Sequence, residues 1–443
     1  NYVEDVCKSL AILMAVLEPG DIHKRYPLEI YQYLSHPAPA VKILMLKELD
    51  RTATESEKVH LILNDTNLII RLIETIGEEN LKVATKAMDI VKKIGRHTEG
   101  LKIIYKGQLL RAFARLLSKN DVISFRIYEV VVDIATSSKE GLDASINSGF
   151  LTSLLKVLDD DDVLLQLNAL EVMTDLANND DGLHYLEDNN ILRKLSDQIA
   201  RANENPLSSL LIPGLMKFFG HVAKRRPDKI FSKYTVVISA LFQVIEGDDL
   251  VILGNALDTL GHVASTVEGK YALQSLGDSM TQAIRRISGI IKTMSTELRL
   301  RGLDSLALIL HVDKDKQDNR ILSLIKSWFD LLDNEPLEFI VKISKQPFVD
   351  IRSSSMRILV EISTQMWGQE YMATHPGLIE YLLDRNTESF KNCKELKYEI
   401  VKNLAEAPGD LFDATTLQQF QTFIRQGPFY VDLDTEVATE SNM

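Results

Sequence analysis

The chain has 443 residues, of which 45% are apolar and 26% charged, and it carries a net charge of −13. That acidic balance argues against a sequence-independent grip on nucleic acid, which needs Lys and Arg to neutralise phosphates. Two cysteines, Cys7 and Cys393, make neither a disulfide framework nor a metal-binding spacing, and they fit a reducing compartment.

The first apolar run, LAILMAVL at Leu10–Leu17, is the longest uninterrupted one. It is far shorter than the ~20 residues that cross a bilayer. Glu4 and Asp5 precede it where a signal peptide would have basic residues, so it is predicted to be a core helix. The start on Asn1 reads as a trimmed beginning.

From there a repeat governs the sequence. The string GHVA occurs at Gly220–Ala223 and again 41 residues later at Gly261–Ala264. A matching turn is read at Glu55, Gly100, Gly141, Gly182, Asp228, Gly269, Asp315, Gly368 and Gly409, at intervals of 41 to 53 residues. Six of these nine are glycine, expected to end a helix in the left-handed conformation. Nine residues before each turn stand Leu46, Val91, Val132, Met173, Phe219, Leu260, Leu306, Leu359 and Ile400, all apolar. Six residues before each turn the side chain is again apolar, except at Asn403. Positions three apart share a helix face, so every unit is predicted to bury the same stripe.

Gly141–Asp162 shows the rest of the unit: a short helix, Gly149, then a second helix over FLTSLLKVL. Two or three helices in such a period lie in the armadillo/HEAT range, and no segment alternates with the period of a strand. The prediction is an all-α, armadillo/HEAT-like, right-handed superhelical solenoid of about nine visible repeats over residues 1–431. Asp432–Met443 is polar, acidic and aperiodic, and is read as a disordered tail.

Five features along the chain need an explanation. The run Asp159–Asp162 lacks the Gly and the terminal Glu of a calcium loop and reads as a solvated helix start. Ala200–Ser209 and the 53-residue interval before Gly368 read as inserted loops or extra half-turns. LLIPGLMKFFGHVA (Leu210–Ala223) fits the same helix slot as Leu164–Ala177, capped by Ser208 or Ser209, with Pro213 in or near the first turn. The basic string Lys224–Lys229 reads as a solvated helix end.

No phosphate loop, zinc-protease, Cys-x-x-Cys or nucleophile-elbow motif occurs. His221 and His262 share a register, but packed helices ~8–10 Å apart are expected to keep their rings too far apart to share an ion. No catalytic residue, metal, cofactor, membrane or small-molecule substrate is therefore expected. Seven residues before the turns stand Glu48, Lys93, Ile134, Asp175, His221, His262, Leu308, Glu361 and Lys402. Peptide-clamping armadillo adaptors carry an asparagine ladder there, and this column has none. Its mixed charge suits a folded domain instead. Lys93, Asp175, His221, His262, Glu361 and Lys402 are the candidate partner-binding residues. A generic armadillo adaptor in transport or signalling is the alternative.

Four stretches carry a more specific likeness: LIPGLMKFFGHVA (Leu211–Ala223), TVEGK (Thr266–Lys270), SWFDLLDNEPLEFIVKISKQPF (Ser327–Phe348) and GPFYV (Gly427–Val431). In order and with these insertions they resemble the family of 26S proteasome non-ATPase regulatory subunit 5, assembly chaperones of the proteasome regulatory particle. An N-terminal repeat of that family is read as absent before Asn1. The resemblance implies a non-catalytic protein, monomeric by itself. It would bind proteasomal ATPase regulatory subunits 7 and 4 and the scaffold non-ATPase regulatory subunit 1, and leave before the particle matures. It implies the cytoplasm, with the nucleus left open as a second compartment. It supplies no contact residues.

Overall fold

Helix starts are written into the chain as short polar side chains that close the first turn. Asn80, Asn120, Asp162 and Asp249 each accept a backbone N–H from the helix that follows. A computed structural model describes residues 2–201, 209–409 and 411–431. These residues are 79% helical, form 29 α-helices that pack in sequence order, and contain no strand. The fold is an all-α helical-repeat solenoid. The chain divides into two compact units, Asn1–Phe218 and Phe219–Met443.

One repeat consists of Lys139–Asn147, Phe150–Lys156 and the long third helix Val163–Ala177. In the first unit the third helices Pro39–Thr54, Leu81–Arg96, Asp121–Ser137 and Val163–Ala177 pack each on the next. In the second unit Leu250–Ala264, Thr296–Leu310, Val349–Ser363 and Lys391–Ala405 do the same. The nine residues of the first apolar column are all at most 2% exposed. The polar exception of the second column, Asn403, is 3% exposed and donates from Nδ2 to Ser363 Oγ at 3.0 Å. A buried amide is tolerated there because a neighbouring repeat satisfies it.

Five of the six anchoring glycines do a different job from the one the sequence suggested; the sixth, Gly409, lies outside any helix with nothing within 4 Å of its Cβ position. Gly100, Gly141, Gly182, Gly269 and Gly368 have no positive φ, and each lies inside the short helix that follows the turn. They sit against the end of the preceding third helix. A Cβ on Gly100 would stand 1.9 Å from the Ile94 carbonyl oxygen, and one on Gly269 1.9 Å from that of Val263. Glycine is required by this close approach, not by a left-handed cap. The left-handed residue comes at the next turn, between the short helix and the second: Gly149 at φ 83°, and in the following repeat Asn190 at φ 58°.

Other expectations divide. Pro213 is the second residue of the helix Ile212–Arg225, where its missing N–H leaves no intrahelical bond unmade. Ser208 and most of Ala200–Ser209 lie outside the described residues, as does the tail at 432–443. The 53-residue interval contains an added 3-10 turn, Lys314–Lys316, after which helices resume. Lys224 and Arg225 occupy the last helical turn, as expected. The core-helix expectation for Leu10–Leu17 is corrected. The helix Tyr2–Val16 buries only Cys7 and leaves Ile12, Leu13 and Val16 65–82% exposed. Its inner face packs on Pro39–Thr54, and no described layer covers the other. Among the described residues no single helix is long and apolar enough to cross a membrane.

Three substitutions test the packing. Leu260→Ala should cost about 2–5 kcal/mol in chemical denaturation as a core truncation. Gly100→Ala should cost about 1–3 kcal/mol as overpacking, because backbone is what the methyl would meet. Gly289→Ala should be neutral or stabilising, because nothing lies within 4 Å of that Cβ and Ala is favoured in a helix interior. Equal effects at Gly100 and Gly289 would contradict the close-approach explanation.

Candidate partner-binding cleft

The third helices bring side chains of successive repeats onto one surface. On the helix Asp121–Ser137, Glu129 and Asp133 are four residues apart and so share a face; on Val163–Ala177, Glu171 and Asp175 do the same. With Lys92 and Thr136 they line a cleft of about 590 Å³ in the first unit. Two of the four carboxylates are already paired. Asp133 takes both guanidinium contacts of Arg96, and Glu171 accepts from Lys217 Nζ at 2.7 and 2.8 Å. Among the described residues no cation is in hydrogen-bond contact with Glu129 or Asp175.

Their ionisation reflects that setting. Partial burial in the cleft pushes the Glu129 carboxyl above its usual range, with Lys92 opposing and Asp175 reinforcing the shift. Asp175 is raised first by partial burial and then by Glu171, with Lys217 and Lys92 opposing. The cleft thus holds two carboxylates that burial keeps raised although Lys92 acts on both, Arg126 on Glu129 and Lys217 on Asp175. That is the electrostatic state a cationic partner surface would relieve.

The six candidate residues occupy one position per repeat and do not converge on a single site. Lys93 spans to the preceding third helix, donating to Asp50 Oδ1 at 2.5 Å and Thr54 Oγ1 at 2.7 Å. Asp175 lines the cleft. Glu361 contacts His311 Nδ1 at 2.7 Å, and that carboxylate is the main reason the His311 pKa is raised. Lys402 lies 3.6 Å from Glu399 on its own helix. Two further members of the column are core: Ile134 is fully buried, and Glu48 is 1% exposed, held by Gly20 N and Arg51 Nη1.

His221 and His262 require a correction. Their rings are in contact, with centroids 4.9 Å apart and planes tilted by 41°. Gly220, before the first histidine, explains this contact, and Gly261 makes the same close approach to the next helix. A Cβ on Gly220 would meet Thr259 Cα at 3.3 Å, and one on Gly261 would meet Ser305 Cα at 3.1 Å. The GHVA string therefore marks where adjacent third helices approach closely, and separation alone does not keep the imidazoles apart. Among the described residues, no group of three or more His, Cys, Asp or Glu is placed to hold a metal ion.

The acidic run behaves as a helix start: Asp162 Oδ1 accepts from Leu164 N at 2.8 Å, and Asp160 Oδ1 from Asp162 N at 3.0 Å. Sequence reasoning missed Glu129, Asp133, Glu171 and Lys92. The signal was present in the four-residue spacing of the carboxylates, but Asp133 and Lys92 lie one position before the chosen column, and Glu129 and Glu171 lie a further helical turn towards the helix start.

Comparison with known proteins places the chain in context. The family described as Proteasome non-ATPase 26S subunit matches residues 2–443. A protein named 26S proteasome non-ATPase regulatory subunit 5 from Homo sapiens is 33% identical over 431 residues, covering 97% of this chain and 86% of its own length. The protein of the same name from Bos taurus is 33% identical over 446 residues, covering 99% and 88%. That from Drosophila melanogaster is 28% identical over 411 residues, covering 92% and 79%. Among solved structures, an engineered protein aligns with a TM-score of 0.44 and 14% identity, over 90% of this chain and 98% of that one.

The raised carboxyls predict an inverted pH effect. A pKa higher in the folded than in the unfolded chain gives stability that is complete below the unfolded value, near pH 4, and lost as pH rises through the folded one. Glu129→Gln and Asp175→Asn should therefore raise the melting temperature modestly at pH 7, with the gain vanishing towards pH 4. A lowered melting temperature at pH 7 would mean that these carboxylates stabilise the fold.

Proposed function

The chain belongs to the family of proteasome non-ATPase 26S subunits, and from that premise we propose that it is a non-catalytic assembly chaperone of the regulatory-particle base. Membership ties it to the proteasome. On our reading it holds the C-terminal domain of a proteasomal ATPase within a base subcomplex, blocks premature docking on the core particle, and leaves before the mature particle forms. Its partners are ATPase regulatory subunits 7 and 4 together with non-ATPase regulatory subunit 1, and it works in the cytoplasm.

The observation that carries this reading is similarity along nearly the whole chain to proteins named as non-ATPase regulatory subunits. The cleft gives it a physical basis. Glu129 and Asp175 are costly to keep ionised where they are, and a basic protein surface would offset that cost. Natural proteins often retain such locally unfavourable charge where binding needs it.

Affinity capture of the isolated C-terminal domains of ATPase subunits 7 and 4 tests the proposal. Glu129→Lys with Asp175→Lys should weaken capture about tenfold, or about 1.4 kcal/mol. The loss should shrink as salt rises above ~0.1 M, where the screening length falls below ~10 Å. The pair Asp175→Lys and Glu361→Lys should also weaken capture, although Glu361 acts from the second unit and is engaged by His311. Undiminished capture by the cleft pair would place the interface elsewhere. If the unaltered chain captures neither ATPase domain, the generic adaptor is the better reading.

A further inference from the structure

The C-terminal end of the second unit gathers cations without carboxylate partners. There the helices Lys391–Ala405 and Ala414–Gln426 pack together, and with the 3-10 turn Arg385–Thr387 they border a cavity of about 560 Å³. That is within the ~300–1,000 Å³ range of small-molecule sites. Arg385, Lys394 and Lys397 all line it. Lys394 and Lys397 are three apart on one helix, so their side chains are neighbours. Lys397 Nζ donates to the Asp384 carbonyl at 2.7 Å, one residue from Arg385.

Each cation can be followed to its partners. Arg385 donates from Nη1 to the Gly427 carbonyl at 2.7 Å and from Nη2 to that of Phe423 at 3.0 Å, closing the end of Ala414–Gln426. A third bond reaches Gln426 Oε1 at 3.3 Å. Lys397 is 3% exposed, and its second acceptor is Thr387 Oγ1 at 2.6 Å. All of these partners are neutral. Lys394 is half-buried, and among the described residues its ammonium makes no hydrogen bond or ion pair. The two carboxylates lining the cavity are engaged elsewhere. Glu388 lies 3.2 Å from Arg352 Nε and accepts from the Tyr381 hydroxyl at 3.2 Å; Asp384 Oδ1 accepts from Asn386 N at 2.9 Å. Burial lowers the Lys397 pKa to about 8, although Glu388 and Asp384 oppose the shift.

Carbonyls and hydroxyls complete hydrogen bonds but cancel no charge, and buried charge is costly unless paired. In a chain of net charge −13, three such cations at one cavity favour an anion from outside. A guanidinium has five N–H donors and an ammonium three, so each cation keeps at least one for a ligand. A phosphate group supplies about two negative charges above its second pKa near 6, and three acceptor oxygens. The cavity is larger than one phosphate, and Pro428 and Tyr430 give it an apolar edge. We propose that the cavity bordered by Arg385, Lys394 and Lys397 binds a small organic phosphate. It lies in the second unit and the acidic cleft in the first, so the proposal does not depend on the function proposed for that cleft.

The test is isothermal titration calorimetry of the 443-residue chain with phenyl phosphate at about pH 7.5, where the phosphate is a dianion. One site is expected, with a Kd of about 1 mM or tighter. Lys397→Met should bind at least about tenfold more weakly, and Lys394→Gln at least about threefold. Lys394→Gln breaks no side-chain bond of the fold, so its thermal melt should be unchanged and its loss is readable even if Lys397→Met unfolds. Lys391→Gln, on the same helix but outside the cavity, should bind as the unaltered chain does. Benzenesulfonate, of similar shape but with one charge, should bind at least about tenfold more weakly. Absence of saturation in that range overturns the proposal. So does equal binding by Lys394→Gln, an equal loss in Lys391→Gln, or equal affinity for benzenesulfonate. Binding that appears only in Asp432→Asn/Asp434→Asn/Glu436→Gln overturns it too, because the chain's own acidic end would then be the occupant.

Discussion

The contact on which the rest depends is that between one third helix and the next. No single helix of this chain can bury its apolar stripe alone; it needs the layers before and after it. The two columns that the register identifies are the residues at that contact, and the glycines at the anchors are what let the following short helix close onto it. Where backbone comes within 1.9 Å of the position a Cβ would take, as at Gly100 and Gly269, side-chain size is decided by geometry rather than by helix propensity.

The stacking also controls electrostatics. Because each third helix lies beside its neighbour, charges on one repeat find partners on the adjacent one, as Lys93 does on Asp50 and Glu361 on His311. Such partly exposed pairs add little stability individually. Among the described residues Glu129 and Asp175, which line the cleft, make no such direct pair. A carboxylate kept half-buried beside another of the same sign is a local defect in the fold and a resource for binding.

Close stacking accounts for the polar groups in the interior as well. Lys270 is fully buried, yet its Nζ donates to the Ala264 carbonyl and approaches that of Leu308 at 3.4 Å. Gln369, likewise one residue after an anchor glycine, donates to the carbonyls of Ser363 at 2.9 Å and Asn403 at 3.3 Å. Both side chains satisfy the unpaired carbonyls at the end of one third helix and reach towards the next repeat. Burial lowers the Lys270 pKa to about 7, with the more distant carboxylates of Glu361 and Asp313 opposing the shift.

The sequence by itself determined the all-helical class, the repeat interval and the two buried columns, because apolar periodicity is a local property that survives without coordinates. It determined the helix starts for the same reason: a cap needs only its own first turn, as Asp162 does with Leu164 and Leu165. Tertiary structure alone decided what depends on the distance between helices. Five of the six anchor glycines proved to be sites of close approach, Gly409 being open, and the histidines of the two GHVA strings came into contact. The helix Tyr2–Val16, apolar enough for a core, was left largely uncovered because burial depends on which layers are neighbours and not on hydropathy. The cleft belongs to the same class. The four-residue spacing of Glu129 with Asp133 and of Glu171 with Asp175 was legible, but only the packing of two helices turned four carboxylates into one surface.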